Sequence, residues 1–174
     1  VTYYAQWTEN TPVTPPTQGG KVTAMWPMVD GSNVSLVGNA THASITLSDA
    51  SKNGDLITIE GTQQATYTDY TERMAIVKVS SNLNDKNESI NANNYIKYTL
   101  TVAQGYTFTP TGFSAKIGRQ GTDNGSAQVV LKKGNTTLES TDISQPSRHS
   151  TSVPISIFEK TIDNASACVA SETI

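Results

Sequence analysis

The stretch "GRQGTDNGSAQVVLKK", residues 118–133, concentrates the residue types that chemistry uses. Gly118, Gly121 and Gly125 surround Arg119, Asp123 and Asn124, and Lys132 and Lys133 follow. A phosphate loop would need glycines leading into a helix, whose free N–H groups meet the anion. Here a strand-like apolar run follows, and the glycine spacing fits neither phosphate-binding pattern. A calcium loop needs several oxygen ligands, and Asp123 and Asn124 supply too few. Hairpin chemistry remains: Asn124–Gly125 is a favoured pair for a tight turn, and the segments on either side read as strands.

Catalytic groups are sparse. His42 and His149 are the only histidines, and no G-x-S-x-G motif is present. A Ser–His–Asp arrangement is therefore not indicated, and both histidines read as loop residues. The single cysteine, Cys168, lies in "SACVAS" and reads as a small buried hydrophobe. It excludes an intramolecular disulfide, and no His or Cys cluster offers a transition-metal site. The scattered acids do not single out a glycosidase pair. The expectation is a domain that is not an enzyme and carries no metal or cofactor.

Sugar binding leaves a looser signature. Pyranose C–H faces lie on aromatic rings, and sugar hydroxyls and carboxylates need planar polar partners. The candidates are Tyr67, Tyr70, Arg119, Asn124, Arg148 and Trp26, with Tyr106 a further aromatic. Tyr67 and Tyr70 stand out because the segment around them, "GTQQATYTDYTE" (61–72), is polar. Arg119 continues the parity of Phe113, Ala115 and Ile117, the expected inward face. It is therefore either the clamp of its turn, through a salt bridge, or the cationic edge of a sugar site. For each aromatic, packing in the core is the competing reading.

These residues need a scaffold, and the composition indicates a β-rich one. The chain has 174 residues, 36% hydrophobic and only 16% charged, with Thr, Ser and Asn taking the place of charge. Twelve Lys and Arg against fifteen Asp and Glu give a net charge of −3, so there is no basic excess for nucleic acid. No apolar run is long enough to span a membrane. Period-two alternation recurs through 21–26, 34–37, 43–47, 56–60, 73–80, 95–103, 113–119, 127–133, 135–140, 153–160 and 165–170. Residues 95–103 are the clearest, with Ile96, Tyr98, Leu100 and Val102 on one side. The expected fold is all-β, an antiparallel, jelly-roll-like sandwich of about ten short strands. Two long loops are expected, at 61–72 and at 80–94.

The chain divides into three parts. Residues 1–9 read as the terminal strand of a preceding module, 10–20 as a Pro/Gly linker, and 21–174 as the sandwich. Both ends look cut, as in a fragment of a larger protein.

"VTYYAQWTEN" is similar to the last strand of the Listeria–Bacteroides repeat, a β-grasp module of bacterial surface proteins. "AMWPM", "NNYIKYTLTVAQGYTFTPTGFSAKIGRQGTDNG" (93–125) and "QPSRHS" resemble a non-catalytic module of secreted pectate lyases and related polysaccharide-degrading enzymes of Bacteroidota. In that group a further strand would follow the position where this chain stops. The resemblance implies a secreted or outer-membrane-surface location, a catalytic domain in the same polypeptide, and plant cell-wall polysaccharide as the partner. On that basis the expected function is binding of pectic or hemicellulosic polysaccharide. The alternative is a spacer that positions a catalytic domain and has no ligand of its own.

Overall fold

The structure is a computed structural model. It describes residues 20–28, 44–79, 93–121 and 125–163 in full, and the backbone of 39–40 and 168–169. The expected strands at 1–9 and 34–37, the linker at 10–19, the body of the 80–94 loop, His42 and Asn124 lie outside the described residues.

Fifteen strands make up the described fold, which contains no helix. They are β1 Ala24–Met25, β2 Asn39–Ala40, β3 Ile45–Leu47, β4 Ser51–Asn53, β5 Ile57–Gln64, β6 Arg73–Val79, β7 Tyr95–Lys97 and β8 Leu100–Val102. They continue with β9 Thr107–Phe108, β10 Gly112–Arg119, β11 Val130–Lys133, β12 Thr136–Ser140, β13 Ser147–Arg148, β14 Ser156–Thr161 and β15 Cys168–Val169. The all-β class read from the alternation is what forms. The ladders are one three-stranded sheet, β13–β10–β14, and six two-stranded ones: β1–β2, β3–β8, β4–β7, β5–β6, β9–β15 and β11–β12. All pair antiparallel except β10 with β13, a parallel contact of two residues.

The core nearest the chain start is built by strict alternation. Ile45, Thr46 and Leu47 face Val102, Thr101 and Leu100. Ile45, Leu100 and Val102 are buried, while Thr46 and Thr101 are exposed. Side chains opposite one another in antiparallel strands share a face, so this register puts every aliphatic residue on one side. Val22, Ala24, Trp26 and Phe108 pack against the cluster. Burying each aliphatic side chain contributes roughly 1.5–3 kcal/mol.

Three expectations are corrected. First, residues 95–103 form two strands with different partners, β7 on β4 and β8 on β3, although the alternation carries through both. Second, the first third of the polar loop at 61–72 is strand, because β5 runs on to Gln64 and pairs with β6 back to Arg73. The register shifts between Ile59 and Gly61, and Gly61 has φ 135°. An extra residue at a glycine is β-bulge geometry, and the ladder continues beyond it. Small and amide side chains there hide the alternation, yet Gly61, Ala65 and Tyr67 are buried. Third, the strands flanking Asn124–Gly125 do not form a hairpin. β10 pairs with β13 and β14, and β11 turns back on β12. That hairpin uses Gly134 and Asn135 between the partners Lys133 and Thr136. Gly134 has φ 57°, the positive φ a two-residue turn requires.

Candidate functional site

Tyr67 and Tyr70 sit where the β5–β6 hairpin narrows. Ala65 N–H donates to Glu72 O at 2.9 Å, and Tyr67 and Tyr70 exchange backbone bonds at 3.2 and 3.4 Å. Thr68 and Asp69 are left as the tip. The Asp69 carboxylate does not stay with its own turn: its Oδ1 accepts from Ile155 N–H at 2.9 Å.

The Tyr67 side chain then turns inward. It is 2% exposed, in a cluster with Ala65 and Ile155 against which Tyr70 and Met74 pack. Its hydroxyl donates to Ser147 O at 3.0 Å. Gly118 makes room for it, since a Cβ at that position would collide with the Tyr67 hydroxyl and come within 2.6 Å of its Cζ. Burial raises the Tyr67 hydroxyl above its ordinary pKa, and the Arg119 charge partly offsets that rise. The expectation of Tyr67 as an exposed sugar platform is corrected: its ring is a core element.

Arg119 resolves as the clamp rather than the open cationic edge. Its Nε donates to Pro146 O at 3.0 Å and a terminal nitrogen donates to Gly121 O at 3.3 Å. Both of these anchors are backbone carbonyls. Its own carbonyl accepts from His149 N–H at 2.7 Å, extending the short parallel ladder. Arg148, register partner of Arg119, is exposed.

His149, read as a plain loop residue, is a strut in this knot. Its Nε2 accepts from Thr66 N–H at 3.1 Å and lies 2.9 Å from Thr66 Oγ1. Its ring meets Tyr67 edge-on at 5.2 Å. A hydroxyl at that distance from an imidazole nitrogen resembles an activated nucleophile. The same nitrogen already accepts a backbone N–H, so the pair works as a tether, with the ring proton on Nδ1. Its signal in the sequence was only its place beside Arg148.

Tyr70 is half-buried. Its hydroxyl donates to Arg73 O at 3.3 Å, and Lys116 Nζ lies 4.5 Å from the ring centroid. Burial, and secondarily the Glu72 charge, raises its pKa. Trp26 belongs to the other cluster. Its indole N–H donates to Ser48 O at 2.8 Å, and its ring tilts against Tyr98 at 5.3 Å. Thus the fold gathers Tyr67, Tyr70, Arg119 and Arg148 in one region and leaves Trp26 in another. Among the described residues, no group of three or more His, Cys, Asp or Glu is placed to hold a metal ion.

An open trough of about 3340 Å³ is bordered by parts of β1, β5–β6, β7–β8, β10 and β11, and reaches buried residues of both clusters, among them Leu100 and Tyr67. Tyr70, Lys116 and Trp26 contribute to its walls, together with two tyrosines outside the six candidates drawn above. Tyr95 is 46% exposed and Tyr106 is 41% exposed. Tyr95 alternates with half-buried Asn94 and Ile96, whereas Tyr106 lies between exposed Gly105 and Thr107, and only the fold puts both on one trough.

No family model matches the chain, and neither a curated protein nor a solved structure is significantly similar to it, so these comparisons identify neither the lyase-associated module nor the β-grasp repeat.

Proposed function

We propose that the chain is a non-catalytic carbohydrate-binding module of a secreted plant cell-wall polysaccharide-degrading enzyme, binding pectic or hemicellulosic polysaccharide. The observation that carries this reading is the pair Tyr95 and Tyr106, exposed and lining the same trough. Solvent-exposed aromatic rings offer flat apolar faces to sugar C–H groups. A modest affinity raises the local concentration of a tethered catalytic unit. The resemblance of residues 93–125 to lyase-associated modules points to the same context.

A second reading, a spacer that positions a catalytic domain, is favoured by the use of Tyr67, Arg119 and Trp26. Each spends its polar group inside the fold. Affinity electrophoresis against pectin, xylan, glucan and mannan separates the two. Retardation on at least one polymer, lost in the Tyr95→Ala/Tyr106→Ala variant, supports binding. Migration unchanged on all four leaves the spacer.

A further inference from the structure

The β4–β7 ladder ends on an asparagine followed by a glycine. Asn53 closes β4, pairs with Tyr95 and is exposed. Gly54 follows with φ 88°, in the left-handed region that favours glycine. A Cβ at that position would also collide with Asn94 Oδ1 and come within 2.5 Å of Asn93 O. The fold therefore holds a glycine directly after an exposed asparagine.

Asn53 itself has a structural task. Its Nδ2 donates to Asn93 O at 2.7 Å. Leu56 N–H donates to Asn94 Oδ1 at 3.1 Å, and Lys52 Nζ donates to Gly54 O at 3.1 Å. The first two bonds seat residues 93–94 against the segment 53–56, immediately before β7.

We propose that Asn53 is a self-modification site: it deamidates spontaneously in the folded chain, and the product loosens the seat of residues 93–94. Asparagine is among the thermally labile side chains. The Gly54 nitrogen gives up its proton and attacks Asn53 Cγ. A C–N bond forms, the Cγ–Nδ2 bond breaks, and the amide nitrogen leaves as ammonia with that proton. Water then opens the five-membered imide at either carbonyl, giving aspartate or isoaspartate. With no Cβ, Gly54 leaves its nitrogen open to the reaction, whereas a branched successor crowds it. Asn53 is the last residue of a three-residue strand and adjoins a bend, so the approach disturbs only the terminal ladder pair.

Either product replaces the amide donor by a carboxylate, which only accepts. The 2.7 Å bond to Asn93 O then becomes a repulsion between two oxygens. Isoaspartate also routes the backbone through the β-carbon, which displaces residue 53 from its register with Tyr95.

The test is a time course of the full native chain in mildly alkaline buffer made with heavy-oxygen water, followed by tryptic peptide mapping. Cleavage after Lys52, Arg119 and Lys133 puts Asn53 in peptide 53–73, Asn124 in 120–132 and Asn135 in 134–148. The expected result is an NH2-to-OH exchange at Asn53 carrying one heavy oxygen, with isoaspartate among the products. Exposed Asn135, followed by β-branched Thr136, should convert roughly ten-fold more slowly. The Asn53→Asp variant, which reproduces one product, should melt about 2–4 °C below the parent, as loss of one hydrogen bond implies. Asn135→Asp, at the β11–β12 turn, should melt with the parent. Conversion of Asn53 only after unfolding in urea would show that the ladder protects it and would overturn the proposal. Native conversion no faster than at Asn135 would do the same. An Asn53→Asp chain that melts with the parent would overturn the loosening, since the seat would then not depend on the amide.

Discussion

The two buried clusters are built on opposite principles. The cluster of Ile45, Leu100 and Val102 is aliphatic and comes from two strands in register, each alternating buried and exposed. The cluster of Ala65, Tyr67 and Ile155 comes from a hairpin tip and a loop some eighty-five residues apart. Tyr67 and Arg119 donate to backbone carbonyls, and Asp69 and His149 accept from backbone N–H groups, which stitches it together. The first is held by area removed from water, which is non-directional. The second depends on direction, because each buried polar atom must meet a partner or cost free energy. Shape-conserving swaps should therefore be tolerated in the first cluster and punished in the second.

The largest effects should come from emptying either cluster. Tyr67→Ala should cost about 3–5 kcal/mol and Leu100→Ala about 2–5 kcal/mol, read from urea unfolding. Gly118→Ala sharpens the contrast. Alone it should destabilise the fold by driving a methyl group into Tyr67. Combined with Tyr67→Ala it should cost much less than the sum, since the collision is gone. Additive costs would mean that Gly118 serves some other purpose.

Next in size is a pH effect confined to the aliphatic side. Burial pushes Tyr98 up to about 12 from the usual 10. Its contribution is thus fully present below pH 10 and is lost as pH rises towards 12. The unfolded chain releases that proton first, so unfolding becomes easier. The loss is about 3 kcal/mol. Tyr98→Phe should flatten the alkaline limb of the stability profile; an identical limb would refer the loss to other groups.

Asp69 tests the directional cluster with less force. Asp69→Ala strands the N–H of buried Ile155 and should cost about 1–3 kcal/mol. Asp69→Asn keeps an acceptor oxygen and should recover much of that cost. Equal losses in the two variants would show that charge, not the hydrogen bond, matters there. Smallest in stability is Tyr95→Ala, expected to shift unfolding by less than about 0.5 kcal/mol while affecting polymer retardation. A large loss of stability would assign that ring to the fold.

How much was legible follows the same division. The aliphatic cluster could be read directly, because Ile45, Leu47, Leu100 and Val102 alternate with threonines and alternation is a local signal. The β5 extension could not, since Gln63 and Gln64 carry no apolar signature and a bulge at Gly61 interrupts the period. The surroundings of the site candidates were less legible. Tyr67 looked exposed because its sequence neighbours are polar, but its spatial neighbours are Gly118, Ile155 and His149. Arg119 reads in the sequence as a clamp or a cationic edge, and the carbonyl that its Nε meets belongs to Pro146, twenty-seven residues away.

The sequence by itself determined the all-β class, the scarcity of histidine and cysteine and the position of the aliphatic faces, because each follows from residue type and a period of two. Tertiary structure decided which strands pair across long separations, that Tyr67 is a core residue, and that Arg119 clamps carbonyls. It also decided that Tyr95 and Tyr106 line one trough. Those outcomes depend on which distant segments meet, and no local spacing encodes that.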